Sequence, residues 1–172
     1  MTRLLRKLVR DQAAAAAAEL ALALPLLLVL VWGPLEIGNY FMDQHMLVKG
    51  VRDGATYAAH QDITKFNCTN NTIDSTVVSN TQNMVRSGAL SGGTDRLRNW
   101  GSATFTMTLQ CVTQSDDGTT TLGGIYALNT GGLVPVIEVT ATVPYSPVVG
   151  NLGFRPPTLS MTAKQQATVM GI

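Results

Sequence analysis

The chain has 172 residues, of which 45% are hydrophobic and 13% are charged, and its net charge is +1 at pH 7. This hydrophobic fraction argues against intrinsic disorder, and the low charge argues against nucleic-acid binding, which needs clustered basic residues. The length allows one modest domain besides an anchor. Four of the twelve basic residues lie in the first ten positions, namely Arg3, Arg6, Lys7 and Arg10.

The first element is an apolar run from Ala13 to Gly33, in which Glu19 is the only charged residue. A helix of this length crosses a bilayer of roughly 30 Å, because each residue adds about 1.5 Å. The positive-inside rule then places the basic N-terminus in the cytoplasm and the chain after residue 33 outside. We therefore predict a basic leader over 1–12 and a single transmembrane helix over 13–33, anchored in the cytoplasmic (inner) membrane.

A cleaved secretory signal peptide is the alternative interpretation of this N-terminus. No A-x-A-like cleavage site follows the apolar core, and a cut after Gly33 would place Pro34 just beyond the scissile bond. Proline at that position resists signal peptidase. An uncleaved anchor, or a cut before the apolar run, fits the sequence better.

Glu19 is the residue of this run that needs an explanation. A carboxylate costs about 2.5–3.5 kcal/mol at the centre of a bilayer and less near its interface. One interpretation is an acid tolerated near the cytoplasmic surface, where its side chain reaches water. The other begins from a cut between Ala14 and Ala15, which would leave Glu19 five residues into the new chain. Its carboxylate could then pair with the α-amine of a neighbouring subunit.

A helical pattern resumes after the apolar run, with apolar residues largely three and four positions apart. We predict an extracytoplasmic helix extension over 34–66, ended by the turn residues 67–72. Pro25 and Pro34 are predicted to kink the helix, because proline removes a backbone hydrogen bond.

Small residues four positions apart, Gly50, Gly54 and Ala58, line one face of this extension. Such a stripe lets another backbone approach closely. It favours packing on the protein's own sheet, and contact between helices of two subunits is the alternative.

The remainder, 67–172, is predicted to form an extracytoplasmic α+β domain. A second helix is expected from Ser75 to Gly88, with Asp74 as its N-cap and Gly88 at its end. Beyond it, alternation of apolar and polar residues predicts an antiparallel sheet of three or four strands. These strands are expected over Ala103–Val112, part of Thr119–Leu128, Val134–Tyr145 and Thr158–Thr168.

Two cysteines, Cys68 and Cys111, lie on the predicted outer side. An even count in an oxidising compartment indicates one disulfide, which would stabilise the fold by roughly 4 kcal/mol on the chain-entropy model. Two unrelated free thiols are the alternative. Because Cys111 shares the apolar face of its strand, it is expected to point toward the helices.

No constellation of residues in the sequence could support catalysis. His45 and His60 have no companion cysteine or carboxylate at metal-ligand spacing. No nucleophile elbow and no phosphate-binding loop occur, and Asp116-Asp117 suits the tip of a hairpin. We therefore expect no enzymatic activity, no metal and no cofactor.

The N-terminal segment AAAAAAELALALPLLLVLVWGPLEIGNYF resembles TadE-like proteins, the minor pseudopilins of the tight-adherence (Flp pilus) machinery. The shared pattern is a small residue, four further residues and a glutamate, then Pro-Leu-Leu and a Leu/Ile-Glu-x-Gly element. Here these are Ala14, Glu19, Pro25-Leu26-Leu27 and Glu36-Ile37-Gly38. Two departures are Ala14 where the family usually has glycine, and Leu20 where an aromatic residue often follows the glutamate.

This resemblance implies cleavage between Ala14 and Ala15 by a prepilin peptidase and a role in assembling a fimbria. The implied partners are the inner membrane, a major pilin, other minor pseudopilins, the assembly platform and the peptidase. We therefore expect a pilin-like α+β protein that acts as a minor pilin or assembly factor in surface adherence. The alternatives are an anchored envelope domain that binds a ligand without polymerising, and a secreted envelope enzyme.

Overall fold

The structure is a computed structural model that describes residues 12–113, 133–148 and 159–171. These residues form a long helix, a short helix and antiparallel strands. This arrangement confirms the α+β class. The elements in chain order are α1 (Gln12–Ala59), β1 (Phe66–Asn67), β2 (Thr72–Ile73), α2 (Ser75–Ser87), β3 (Thr104–Thr113), β4 (Leu133–Pro144) and β5 (Ser160–Thr168).

The chain divides into two compact units. Unit 1 comprises Met1–Tyr40 with Pro147–Phe154, and unit 2 comprises Phe41–Ser146 with Arg155–Ile172. Unit 1 holds the apolar half of α1, and unit 2 holds the remaining helix residues and the sheets. The boundaries of leader, span and outer domain given above stay predictions.

Helix α1 is 48 residues long and includes both Pro25 and Pro34 within its span. The predicted end at residue 66 is wrong, because the helix stops at Ala59. The backbone N–H groups of His60 and Gln61 bond to carbonyls three residues earlier, which tightens the last turn. The Asp62 carboxylate then caps a new 3₁₀ turn by accepting the Thr64 N–H at 2.9 Å, so the α-helix does not continue.

A short hairpin replaces the turn expected over residues 67–72. Phe66 pairs with Ile73 and Asn67 pairs with Thr72 across β1 and β2. The Asn67 side-chain oxygen accepts the backbone N–H of Thr69 at 2.8 Å, which shapes the connection between the strands. Cys68 therefore lies in a hairpin connection and not at the end of the long helix.

Helix α2 confirms the prediction of a second helix, including both of its caps. The Asp74 carboxylate accepts the Thr76 N–H at 2.8 Å, and hydrogen bonds to Thr76 hold the pKa of Asp74 below its usual value. At the other end Gly88 has φ 78°, a left-handed conformation that favours glycine, and its N–H donates to Met84 O.

Strands β3, β4 and β5 form one antiparallel sheet with β4 in the centre. One face of β4 is fully buried, as its alternation predicts, and it presents Ile137, Val139, Ala141 and Val143. The strand expected within Thr119–Leu128 lies outside the described residues.

A hydrophobic core in unit 2 joins α1, the hairpin, α2 and the sheet. Cys111 packs against this core from β3, in agreement with the expected direction of its side chain. Burial of these groups from different elements is what holds the unit together. The buried members are Ala58, Phe66, Val77, Leu109, Ile137 and Val169.

Two small residues of the stripe, Gly50 and Gly54, lie against α2 and not, as expected, against the sheet, whereas Ala58 belongs to the core that the sheet shares. A Cβ atom added at Gly50 would stand 2.6 Å from the backbone oxygen of Val85. One added at Gly54 would overlap the side chain of the same valine. Glycine thus allows the two helices of unit 2 to approach each other closely.

We expect Gly50→Ala to lower the free energy of unfolding of unit 2 by about 1–3 kcal/mol, because the added methyl group meets backbone and not a movable side chain. Urea titration of the detergent-solubilised protein measures this loss. Gly101→Ala is the matched control, since a Cβ there would have no atom within 4 Å. Equal stability of the two variants would contradict the close packing of α1 on α2.

Candidate functional site

The N-terminal half of α1 exposes a continuous apolar surface. Among the described residues, this one helix is long and apolar enough to cross a membrane, with a window of mean hydropathy 2.2 that is not buried at all. Leu22 is 82% exposed and Val29 is 71% exposed. Water solvates such a surface poorly, so the helix is compatible with a single-pass membrane anchor.

Glu19 lies within this surface, and its side chain is exposed. Its helical neighbours one turn away are Ala15, Ala16, Leu22 and Ala23, none of which can donate a hydrogen bond from its side chain. No hydrogen bond or ion pair joins the Glu19 carboxylate to any other group in the described part of the chain. A partner for this acid in lipid would therefore have to come from another molecule, from an α-amine created by cleavage, or from residues outside the described ranges.

Ala14 and Ala15 are both within α1, in its first turn. The cut between them stays a prediction. Glu19 follows Ala15 by one helical turn, so cleavage there would place a new α-amine one turn from the acid of the same chain.

Cys68 and Cys111 form the predicted disulfide, with 5.6 Å between their Cα atoms. The bond joins the connection of the β1–β2 hairpin to strand β3. It therefore fixes the segment that follows α1 to the edge of the sheet, inside unit 2.

Glu36 has a contact that sequence reasoning missed. Its two carboxylate oxygens lie 3.1 and 3.2 Å from the backbone nitrogen of Val148, which donates its N–H to them. Both residues belong to unit 1, although 112 positions separate them in the sequence. The sequence marks Glu36 only through the Glu-x-Gly element, and no local pattern indicates its partner.

Charged residues of unit 2 form structural ion pairs. Arg96 donates to Asp53 at 2.9 Å, and Lys164 lies 2.8 Å from Glu138. Lys164 and Gln166 hold the pKa of Glu138 below its usual value, whereas burial raises the pKa of Asp43 against the opposing charge of Arg98. Such pairs at a surface contribute little to stability.

The two histidines of the sequence, His45 and His60, also have ordinary surroundings. His45 is exposed, and a ring nitrogen of His60 lies 2.7 Å from the carbonyl oxygen of Thr56 one turn earlier. Within residues 12–113, 133–148 and 159–171, no three potential metal ligands cluster.

One family model matches most of α1. Residues 14–56 match the family model described as TadE-like protein. The match includes the predicted cleavage site, Glu19 and Glu36, and it confirms the resemblance to the TadE-like family over this segment. No curated protein and no solved structure matches the chain with statistical significance.

Proposed function

We propose, from the TadE-like match over residues 14–56, that this protein is a non-enzymatic minor pilin or assembly factor of a tight-adherence pilus. It serves fimbria formation and surface adherence in a secretion system of the type IV-like class. The observation that carries the proposal is an acid, Glu19, inside an exposed apolar helix of the matched segment. The disulfide-bonded unit 2 is then the part exposed outside the membrane.

The physical basis is the pairing of two charges that are each costly in lipid. A cut between Ala14 and Ala15 removes the basic leader and creates an α-amine at Ala15. The Glu19 carboxylate of one subunit then bonds to the amine of a neighbour, which offsets much of the desolvation that each group bears alone. This pairing gives neighbouring subunits an attractive contact within the membrane.

The proposed location is the inner membrane, with the N-terminus in the cytoplasm and the later residues outside, because the basic residues precede the span. The proposed partners follow from the family: a major pilin, other minor pseudopilins, the assembly platform and the prepilin peptidase. No cofactor is part of the proposal.

A plain anchored envelope domain that binds a ligand without polymerising is the second candidate. This candidate is favoured by Ala14, which stands where the family usually has glycine. The difference lies directly before the bond that the prepilin peptidase would cut. Under this alternative the chain keeps its leader, and Glu19 makes no contact with another subunit.

Mass spectrometry of the protein purified from membranes separates the two candidates. We expect a mature N-terminus at Ala15, with a mass reduced by that of residues 1–14. Ala14→Gly is the matched control and should be cleaved at least as completely, because it restores the usual residue. A chain that begins at Met1 or Thr2 in a peptidase-positive strain would contradict the minor-pilin proposal.

A further inference from the structure

The backbone N–H of Val148 forms a hydrogen bond to α1, close to the end of the predicted membrane span. Glu36 receives this amide on both carboxylate oxygens, at 3.1 and 3.2 Å. Hydrogen bonds from a backbone N–H to an ionised carboxylate are stronger than those between neutral groups. Glu36 therefore fixes the segment Pro147–Val148 beside the helix, within unit 1.

The height of this contact follows from helix geometry. Glu36 lies three residues beyond Gly33, which is about 4.5 Å along the axis at 1.5 Å per residue. The polar headgroup layer adds roughly 5–8 Å to each side of a 30 Å hydrocarbon core. If the core ends at Gly33, as the apolar run predicts, Glu36 and the amide bonded to it lie within the headgroup layer.

The composition at this height suits a lipid surface. Val148 is 44% exposed although it is apolar, and Pro147 next to it is partly exposed. Within residues 146–155, which include Pro147 and Val148, the sequence has one charged residue, Arg155, and no acidic residue. A segment without acids is not repelled by anionic lipid headgroups, and apolar side chains gain from burial in the interfacial region.

We infer that Pro147–Val148 rests in the headgroup layer of the outer leaflet, as a second membrane contact beside the spanning helix, and that Glu36 is the positioning residue for it. This inference rests on the membrane anchoring of α1 in the proposed function, but it does not need pilus assembly. The occupant of the exposed Val148 surface is the bilayer itself, because the Val148 amide is hydrogen-bonded to Glu36, three residues beyond the predicted span.

Depth-dependent quenching in nanodiscs tests this placement. The full chain carries Val148→Cys with an environment-sensitive fluorophore, attached without reductant so that the Cys68–Cys111 disulfide stays intact. Nitroxide lipids labelled at the headgroup should quench the fluorophore more strongly than lipids labelled deep in the acyl chain. A fluorophore at Val29→Cys is the control for insertion of the helix and should show the opposite order.

The role of Glu36 is tested in the same labelled background. Glu36→Ala should weaken quenching by the headgroup nitroxide and raise quenching by aqueous iodide, since the segment loses its bond to the helix. The neighbouring Leu35→Ala, a change of an exposed side chain, should leave both signals unchanged. A non-reducing gel of each variant verifies that the disulfide forms.

The outcomes separate the two proposals. Quenching at Val29 without quenching at Val148 would overturn the second contact and leave the anchor intact. Protection of Val148 from iodide that requires a partner subunit would also overturn it, because the occupant would then be protein. Loss of quenching at both positions would contradict the membrane anchor on which the inference rests.

Discussion

Glu19→Ala should abolish pilus assembly while the protein stays in the membrane. Alanine removes a carboxylate whose cost at the bilayer centre is about 2.5–3.5 kcal/mol, so insertion becomes easier. Association becomes harder, because the α-amine of the neighbouring subunit loses its partner. Breaking a buried pair costs about 3–5 kcal/mol, which corresponds to roughly a hundredfold or greater loss of affinity between subunits.

Membrane fractionation and counts of pili measure these two effects separately. Glu19→Gln keeps the size of the side chain but not its charge, and it should fail in the same way as alanine. Leu20→Ala changes the adjacent exposed residue and should assemble pili normally. Normal piliation and adherence by Glu19→Ala would show that the acid has no role in assembly.

Removal of the disulfide should cause a large loss of stability in unit 2. Cys68 and Cys111 are 43 positions apart, and closing a loop of that length stabilises a fold by about 4 kcal/mol on the chain-entropy model. The bond also fixes the hairpin to β3. A small domain commonly has only about 5–15 kcal/mol of stability in total, so the variant should unfold at much lower denaturant concentration.

The comparison uses the double variant Cys68→Ser/Cys111→Ser, which leaves no unpaired thiol behind. Its urea midpoint should fall, and dithiothreitol should shift the wild-type midpoint to a similar value without affecting the variant. When samples with and without reductant are compared on a gel, only the wild type should change mobility. An unchanged midpoint in the double variant would contradict the stabilising role of the bond.

Features that depend on residues close together in the sequence were predictable, and α2 is the clearest example. Asp74 and Gly88 each act on the backbone within a few residues, so the sequence specifies both ends of that helix. The buried face of β4 was equally clear, because alternation along one strand needs no knowledge of its partners. The long apolar helix is of the same kind, since length and composition alone define it.

Features that depend on distant partners were not predictable. The two-residue strands β1 and β2 are too short to show a period, so the sequence predicts a turn in place of the hairpin and a helix that continues beyond Ala59. The stripe at Gly50 indicated close packing but not against which element. Glu36 finds its donor 112 positions away, and a single sequence has no signal for such a pair.

The use of Gly50 and Gly54 inside unit 2 has a consequence for contacts with other subunits. A stripe of small residues permits two helix axes to come closer than the usual 8–10 Å. In this chain α2 already occupies that stripe. A neighbouring copy approaching this stretch of α1 must therefore meet its larger side chains, such as Met42 and Met46, at the ordinary spacing between helices.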